Sequence, residues 1–125
     1  MIIPETTNPE DAVMFDIDDT LINTQTGKII DDMYELYKNI QKKGYRMIII
    51  TARPGFYKNV LWTREQLKDI GITYDELVFT PPQYKVDYKR ESKYNYILSV
   101  GDMDTDLTGS KYSIKVSNAN YTGDR

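Results

Sequence analysis

Acidic residues follow directly after a short apolar run near the start of the chain. Residues 12–15 read Ala-Val-Met-Phe, and Asp16 and Asp18 come next with one residue between them. If residues 12–15 form a buried strand, both acids stand at its carboxyl end, where open α/β sheets bind their ligands. Two carboxylates a few ångströms apart repel by roughly 4 kcal/mol at an effective dielectric near 20. The pair therefore indicates a bound cation or a shared proton, and hence a site.

The same pattern of acid after apolar run occurs near the other end of the chain. Residues 96–100 read Tyr-Ile-Leu-Ser-Val, and Gly101 and Asp102 follow, with Asp106 four residues further on. This segment predicts a second buried strand with carboxylates at its carboxyl end.

A third apolar run, residues 45–50, ends in Thr51 and Arg53. A hydroxyl and a guanidinium are groups that bind phosphate oxygens. In a parallel sheet the carboxyl ends of all three strands lie on one edge, so we expect these polar residues to face one crevice.

The composition excludes several kinds of catalytic chemistry. The chain has 125 residues, 40% hydrophobic and 28% charged, with no cysteine and no histidine. The length predicts a single globular domain over residues 1–125. Disulfides, thiolate zinc sites and cysteine nucleophiles are impossible, and so are Ser-His-Asp triads and imidazole metal sites. Any nucleophile of the chain is therefore expected to be an aspartate.

The charge pattern argues against general nucleic-acid binding and against a membrane location. The net charge is −3 and the isoelectric point is about 4.9, whereas proteins that grip nucleic-acid backbones usually present a basic face. One local basic rim is expected from residues 85–93. The apolar runs are too short to span a bilayer, and the first residues lack the features of a secretory signal. We therefore expect a cytoplasmic protein.

Strand-like and helix-like segments alternate along the chain. This alternation predicts an α/β fold, a three-layer, doubly wound, Rossmann-like parallel sheet of about five strands. Turn-forming residues within 22–30 predict a small β-flap over the site. The predicted strands are residues 12–15, 45–50, 77–79, 96–100 and 113–116, and the predicted helical segments are residues 31–43, 56–70, 86–93 and 107–111.

Taken in order, these motifs resemble those of the haloacid dehalogenase (HAD) superfamily. Residues 16–20 fit its Asp-x-Asp-x-Thr motif, Thr51 fits its strand-end hydroxyl, and residues 101–106 fit Gly-Asp-x-x-x-Asp. The likeness covers residues 11–117. It implies a sheet with the first strand in the centre and a flap at about residues 22–30, and the chain has no insertion large enough for a cap domain. Residues 51–54 also resemble the acid-phosphatase and polynucleotide-phosphatase branches.

The resemblance implies a Mg²⁺-dependent phosphatase that works through an aspartyl-phosphate. Asp16 would be the nucleophile and a metal ligand. Asp18 would bind the metal through its backbone carbonyl and act as the general acid and base through its side chain. Asp102 would supply a second carboxylate to the metal, and Asp106 would complete the metal site from its outer shell.

The remaining implied roles concern the phosphate and the substrate. Thr51 and a lysine would hold the phosphoryl oxygens, Thr20 would brace the loop on the substrate side, and Arg53 would contact substrate. Lys89 is our first choice for the lysine, because family members often carry Lys-Arg ahead of the fourth motif. Lys85 is the alternate and is expected to bind substrate. Lys93 is the weakest choice.

Two other classes of protein remain open at this point. A receiver domain of a response regulator is also of this length and binds Mg²⁺, although it needs an acceptor aspartate where this chain has Thr51. A non-catalytic HAD-fold binding module is the second. For an enzyme, the basic rim of Lys85, Lys89, Arg90 and Lys93 favours a nucleotide or a phosphorylated polymer end as substrate. A site without a cap would accept bulky substrates or be closed by a second copy of the chain.

Overall fold

A computed structural model describes residues 3–117 of the chain. Within these residues five strands form one parallel sheet in the order β3-β2-β1-β4-β5. The strands are β1 (Asp11–Phe15), β2 (Arg46–Thr51), β3 (Glu76–Phe79), β4 (Asn95–Gly101) and β5 (Tyr112–Lys115).

Helices connect the strands. The two long helices follow β1 and β2, and shorter helical segments precede and follow β4. The helices are α1 (Asp31–Lys42), α2 (Tyr57–Asp69), α3 (Lys85–Glu91) and α4 (Asp104–Leu107), and a 3₁₀ turn (Pro82–Tyr84) leads into α3.

The central strand is buried on both faces, which explains its unbroken apolar sequence. Val13 and Phe15 point into one hydrophobic cluster, and Ala12 and Met14 point into a second cluster on the opposite face. All four side chains are fully buried. On the first face the Phe15 ring packs edge-on against Tyr37 of α1, with ring centroids 4.9 Å apart. The predicted three-layer α/β fold is confirmed.

The strand order places the polar segments of the sequence together. The chain runs outward from β1 to β2 and β3, then returns to the other side of β1 to form β4 and β5. Ligands of such sheets bind where the winding direction reverses, which here lies between β1 and β4. The order β3-β2-β1-β4-β5 also differs from the 2-1-3-4-5 order of receiver domains, so that alternative is excluded.

The segment predicted as a flap contains a short antiparallel pairing. Ile22 and Ile29 make an antiparallel bridge within residues 22–30. None of these residues lines the cavity described below. Asp19, in the left-handed region with φ 57°, instead ties the loop down by accepting hydrogen bonds from the backbone N–H and the hydroxyl of Thr24, each 2.9 Å long. The placement of this flap over the site stays a prediction.

Two helical segments are shifted from their predicted positions. The turn expected at residues 107–111 is α4, at residues 104–107, because the Asp106 carboxylate accepts the Met103 backbone N–H and starts the helix earlier. The helix expected at residues 86–93 is α3, which begins at Lys85 and ends at Glu91. Within residues 3–117, no helix is long and apolar enough to cross a membrane.

Candidate active site

A cavity of about 360 Å³ opens at the carboxyl edge of the sheet. Residues that follow four different strands line it, so the expectation of one shared crevice is confirmed for these strand ends. A larger depression of about 430 Å³ beside the end of α2 has no comparable cluster of acids. The lining residues of the crevice are Asp16, Asp18, Asp19, Ala52, Arg53, Pro54, Pro82, Lys85, Asp102, Met103, Thr105 and Asp106.

Three carboxylates converge at the floor of this cavity. Asp16, Asp102 and Asp106 each present an oxygen, and these oxygens all lie within 4.8 Å of one another. Gly101 permits this convergence, since a Cβ atom at this position would overlap the Asp106 side chain. Magnesium prefers ligand sets made only of oxygen, so the donors present fit Mg²⁺.

The Lys85 ammonium lies between two of these carboxylates. Its Nζ atom donates to Asp16 Oδ1 at 3.0 Å and to Asp106 Oδ1 at 2.5 Å, and the residue is only 2% exposed. Burial works against the charged form, but the attraction of the two carboxylates outweighs it and raises the pKa of Lys85 above its ordinary value. Lys85 therefore stays positively charged at the floor of the cavity.

Asp16 is placed where its charge is difficult to sustain without a cation. Burial raises the pKa of Asp16 well above its usual range, the nearby Lys85 opposes this rise, and Asp106 adds to it. A divalent cation between Asp16 and Asp102 would favour the ionised form, so the electrostatics of the site match those of a metal-binding carboxylate.

Lys89, the first choice from the sequence, lies elsewhere. It is one turn beyond Lys85 on α3, and its Nζ donates to the Ser99 hydroxyl and to the backbone carbonyls of Asp106 and Thr108 at 2.6–2.9 Å. Burial lowers the pKa of Lys89 to about 8. Lys89 does not line the cavity, whereas Lys85 does. The arrangement favours Lys85 over Lys89 as the lysine that faces a bound phosphate.

Arg53 forms a two-pronged ion pair with Asp18. The Arg53 Nε and Nη2 atoms donate to Asp18 Oδ2 and Oδ1 at 3.0 and 2.7 Å. The Arg53 side chain is 9% exposed and that of Asp18 is 39% exposed. The sequence predicts that Arg53 contacts the substrate. In the structure its guanidinium binds Asp18.

The three threonines near the site differ in their placement. Thr51 is buried at the end of β2, and its hydroxyl accepts the Arg53 backbone N–H at 3.1 Å. Thr20 is also buried, its hydroxyl has no hydrogen-bond partner among residues 3–117, and it does not line the cavity. Thr105, which sequence reasoning missed, lines the cavity with a buried hydroxyl that also has no hydrogen-bond partner in the described part of the chain.

The expected basic rim is not present at the cavity mouth. Lys85 and Lys89 are each 2% exposed and engaged with buried partners, while Arg90 and Lys93 are exposed but do not line the cavity. The sequence could not separate these four residues, because burial depends on which side of α3 packs on the sheet.

Comparison with known proteins shows the family of this chain. The sequence profile of the HAD superfamily, subfamily IIIB (acid phosphatase), matches residues 22–124, and the chain belongs to this family. The match begins after residues 16–20, so the first motif rests on the resemblance of those residues and on their position in the sheet.

One solved structure illustrates the same architecture. The structure titled "Structure of Pnkp1/Rnl/Hen1 complex" superimposes with a TM-score of 0.70 at 19% sequence identity. The overlap covers 91% of this chain and 48% of that one, so this chain spans about half the length of its structural relative. At this identity the likeness establishes the fold. No curated protein matches the sequence significantly.

Proposed function

We propose that this chain is a Mg²⁺-dependent phosphomonoesterase that transfers the phosphoryl group to Asp16 and then to water. The observation that carries the proposal is the convergence of Asp16, Asp102, Asp106 and the Lys85 ammonium on one cavity floor. A phosphate monoester carries up to two negative charges, so an aspartate can attack it only where cations offset that charge.

The residues would divide the reaction into two displacements. The Asp16 carboxylate attacks phosphorus, the bond from phosphorus to the leaving oxygen breaks, and Asp18 supplies the proton that this oxygen needs. Water then attacks the aspartyl-phosphate, gives a proton to Asp18, and releases phosphate from Asp16. Mg²⁺, held by Asp16, Asp102 and the Asp18 backbone carbonyl and oriented through Asp106, would offset negative charge on the phosphoryl oxygens.

Two further residues are assigned to the phosphoryl oxygens. Lys85 lies beside Asp16, so its ammonium is placed to hold an oxygen of the phosphoryl group, and we assign it the role first predicted for Lys89. Thr51 stands at the end of β2, next to Arg53, and is assigned the second contact. Thr20 is assigned only to the loop, since its hydroxyl does not line the cavity.

The open cavity supports a proposal for the substrate class. The connections between strands are too short, within residues 3–117, to form a cap over the crevice. We therefore propose a substrate whose organic part extends out of the cavity, such as a nucleotide or a phosphorylated polymer end, or closure of the site by a second copy of the chain. The likeness to the Pnkp1/Rnl/Hen1 structure supports the fold on which this proposal rests. It gives no support to the choice of substrate.

A metal-dependence assay tests the central part of the proposal. Hydrolysis of p-nitrophenyl phosphate should require added Mg²⁺ and cease with a chelator. Asp16→Asn should reduce kcat by on the order of 10⁴-fold or more, because it removes the nucleophile. Asp104→Asn is the control, because Asp104 is an exposed acid at the start of α4 whose carboxylate pairs with Lys115 at the surface. Equal rates with and without chelator would contradict the proposal.

A substrate panel tests the second part. Matched phosphomonoesters that range from a sugar phosphate and a nucleoside monophosphate to a 3′-phosphorylated oligonucleotide should be compared by kcat/KM, together with the mass of the protein in solution. We expect the larger esters to be hydrolysed at least as well as the sugar phosphate. A monomer that acts on the sugar phosphate alone would refute this view of the uncapped site.

A further inference from the structure

The Arg53 side chain is anchored to helix α2 on the side away from Asp18. Its Nη1 atom donates to the Thr63 hydroxyl at 3.1 Å and to Gln66 Oε1 at 2.7 Å. The Trp62 ring stacks against the same guanidinium, 5.1 Å from its central carbon. Thr63 is fully buried, and these three α2 residues lie outside the cavity lining. The α2 contacts fix where the guanidinium sits.

The other edge of the guanidinium is occupied by Asp18. An arginine has five N–H donors, and Arg53 uses four of them in its contacts with Asp18, Thr63 and Gln66 among the described residues. A two-pronged grip on a phosphate needs two free donors, so Arg53 cannot provide one while it holds Asp18. Each Asp18 oxygen keeps a second lone pair that can exchange a proton on the cavity side.

We propose that Thr63 and Gln66 are positioning residues that act through Arg53 to hold the Asp18 carboxylate at the angle needed for proton transfer. This inference rests on the proposed function. In it Arg53 binds Asp18 and does not bind the substrate. Productive proton transfer requires hydrogen-bond reach and alignment. A carboxylate fixed by two hydrogen bonds therefore transfers a proton faster than one that rotates freely.

Positioning of an acid has a kinetic signature that substrate binding lacks. A leaving group such as p-nitrophenolate departs without a proton, whereas an alkoxide needs one. Loss of the α2 anchor should therefore lower kcat/KM, which reports the transfer of the phosphoryl group to Asp16, much more for an alkyl phosphate than for p-nitrophenyl phosphate. Loss of a phosphate-binding residue would instead raise KM or lower kcat/KM for both esters alike.

The test uses Gln66→Ala and Thr63→Val, which remove the anchor without altering the cavity lining, and Arg53→Lys, which keeps the charge but lacks the fork. Arg64→Gln, on the same helix but exposed, is the control. For Gln66→Ala we expect about a tenfold loss of kcat/KM on β-glycerophosphate and less than a threefold loss of kcat/KM on p-nitrophenyl phosphate. Arg53→Lys should show the same selectivity with a larger loss.

Equal losses on both esters, or a shared rise in KM, would overturn the proposal and return Arg53 to a substrate-binding role. Thermal unfolding of each variant separates these results from failure to fold, and Thr63→Val and Gln66→Ala serve as independent removals of the anchor. If the wild-type chain hydrolyses neither ester, the proposed function fails. The positioning claim is then judged by NMR couplings of the Asp18 side chain, which should report one rotamer in the wild type and averaged rotamers in Gln66→Ala. One rotamer in both would refute it.

Discussion

Two buried lysines on one helix meet opposite environments. Lys85 and Lys89 are one turn apart on α3 and both are 2% exposed. Lys85 faces the carboxylates of Asp16 and Asp106. The Lys89 ammonium faces a hydroxyl and two backbone carbonyls, all of them neutral acceptors. As a result the pKa of Lys85 is raised, and burial lowers the pKa of Lys89 to about 8.

The difference shows how one residue type serves two purposes. The two carboxylate charges keep the Lys85 ammonium charged inside the protein, next to the proposed nucleophile Asp16. Neutral carbonyls leave the Lys89 ammonium poorly compensated, but they tie α3 to the loop that carries Asp106. We expect Lys85 to act on the reaction and Lys89 to act on the stability of the loop.

The largest expected effect is on activity. Lys85→Met should lower kcat by about 10²–10³-fold, because it removes a cation aimed at the phosphoryl oxygens. Lys89→Met should lower kcat by less than about tenfold under conditions where the variant is folded. Steady-state rates with saturating Mg²⁺ provide the comparison. Equal losses in the two variants would mean that the distinction between the lysines does not extend to catalysis.

A smaller effect is expected on stability. Lys89→Met should lower the free energy of unfolding at neutral pH by about 2–4 kcal/mol, since it leaves three buried acceptors without a donor. Lys93→Met, at an exposed position just beyond the same helix, is the control and should change stability by less than about 0.5 kcal/mol. Urea titrations measure both. A Lys89 variant as stable as the control would contradict the structural role.

The smallest expected effect is on the pH dependence of stability, which should differ between the two lysines. Because the folded-state pKa of Lys89, about 8, is below the ordinary 10.5, the unfolded chain binds more protons between these values. Stability relative to Lys89→Met should therefore rise from pH 8 to pH 10, by on the order of 2 kcal/mol.

Lys85 provides the comparison for this pH dependence. Its folded-state pKa is raised, so its contribution is fully present below pH 10.5 and is lost only as the pH rises further. Stability relative to Lys85→Met should be flat from pH 8 to pH 10. Unfolding free energies of the three proteins across this range test both slopes, and parallel slopes would refute the assigned environments.

The sequence predicted the fold well because the strands are marked by their own composition. The apolar runs at residues 12–15, 45–50 and 96–100 are continuous, as strands buried on both faces require. The polar residues that follow each run then had to share one edge. The position of Asp16, Asp102 and Arg53 around one cavity follows from that rule.

The sequence could not predict which side chains of different helices and strands meet. The Lys-Arg pair in the sequence favours Lys89 over Lys85. In the structure α3 begins at Lys85, which puts Lys85 at the helix end nearest the cavity. The partners of Arg53 were missed for a similar reason. Thr63 and Gln66 carry no motif, and only the packing of α2 against the sheet edge brings them to the guanidinium.

The formation of a phosphorylated Asp16 tests the account most directly. Asp18→Asn should still accept a phosphoryl group from p-nitrophenyl phosphate but should hydrolyse the intermediate slowly, because no base activates the water. After rapid acid quench, mass spectrometry of the digested variant should find one phosphoryl group on the peptide that contains residues 12–22, and fragmentation should place it on Asp16. A phosphoryl group on Asp19, or unimpaired steady-state hydrolysis by Asp18→Asn without any trapped intermediate, would contradict the account.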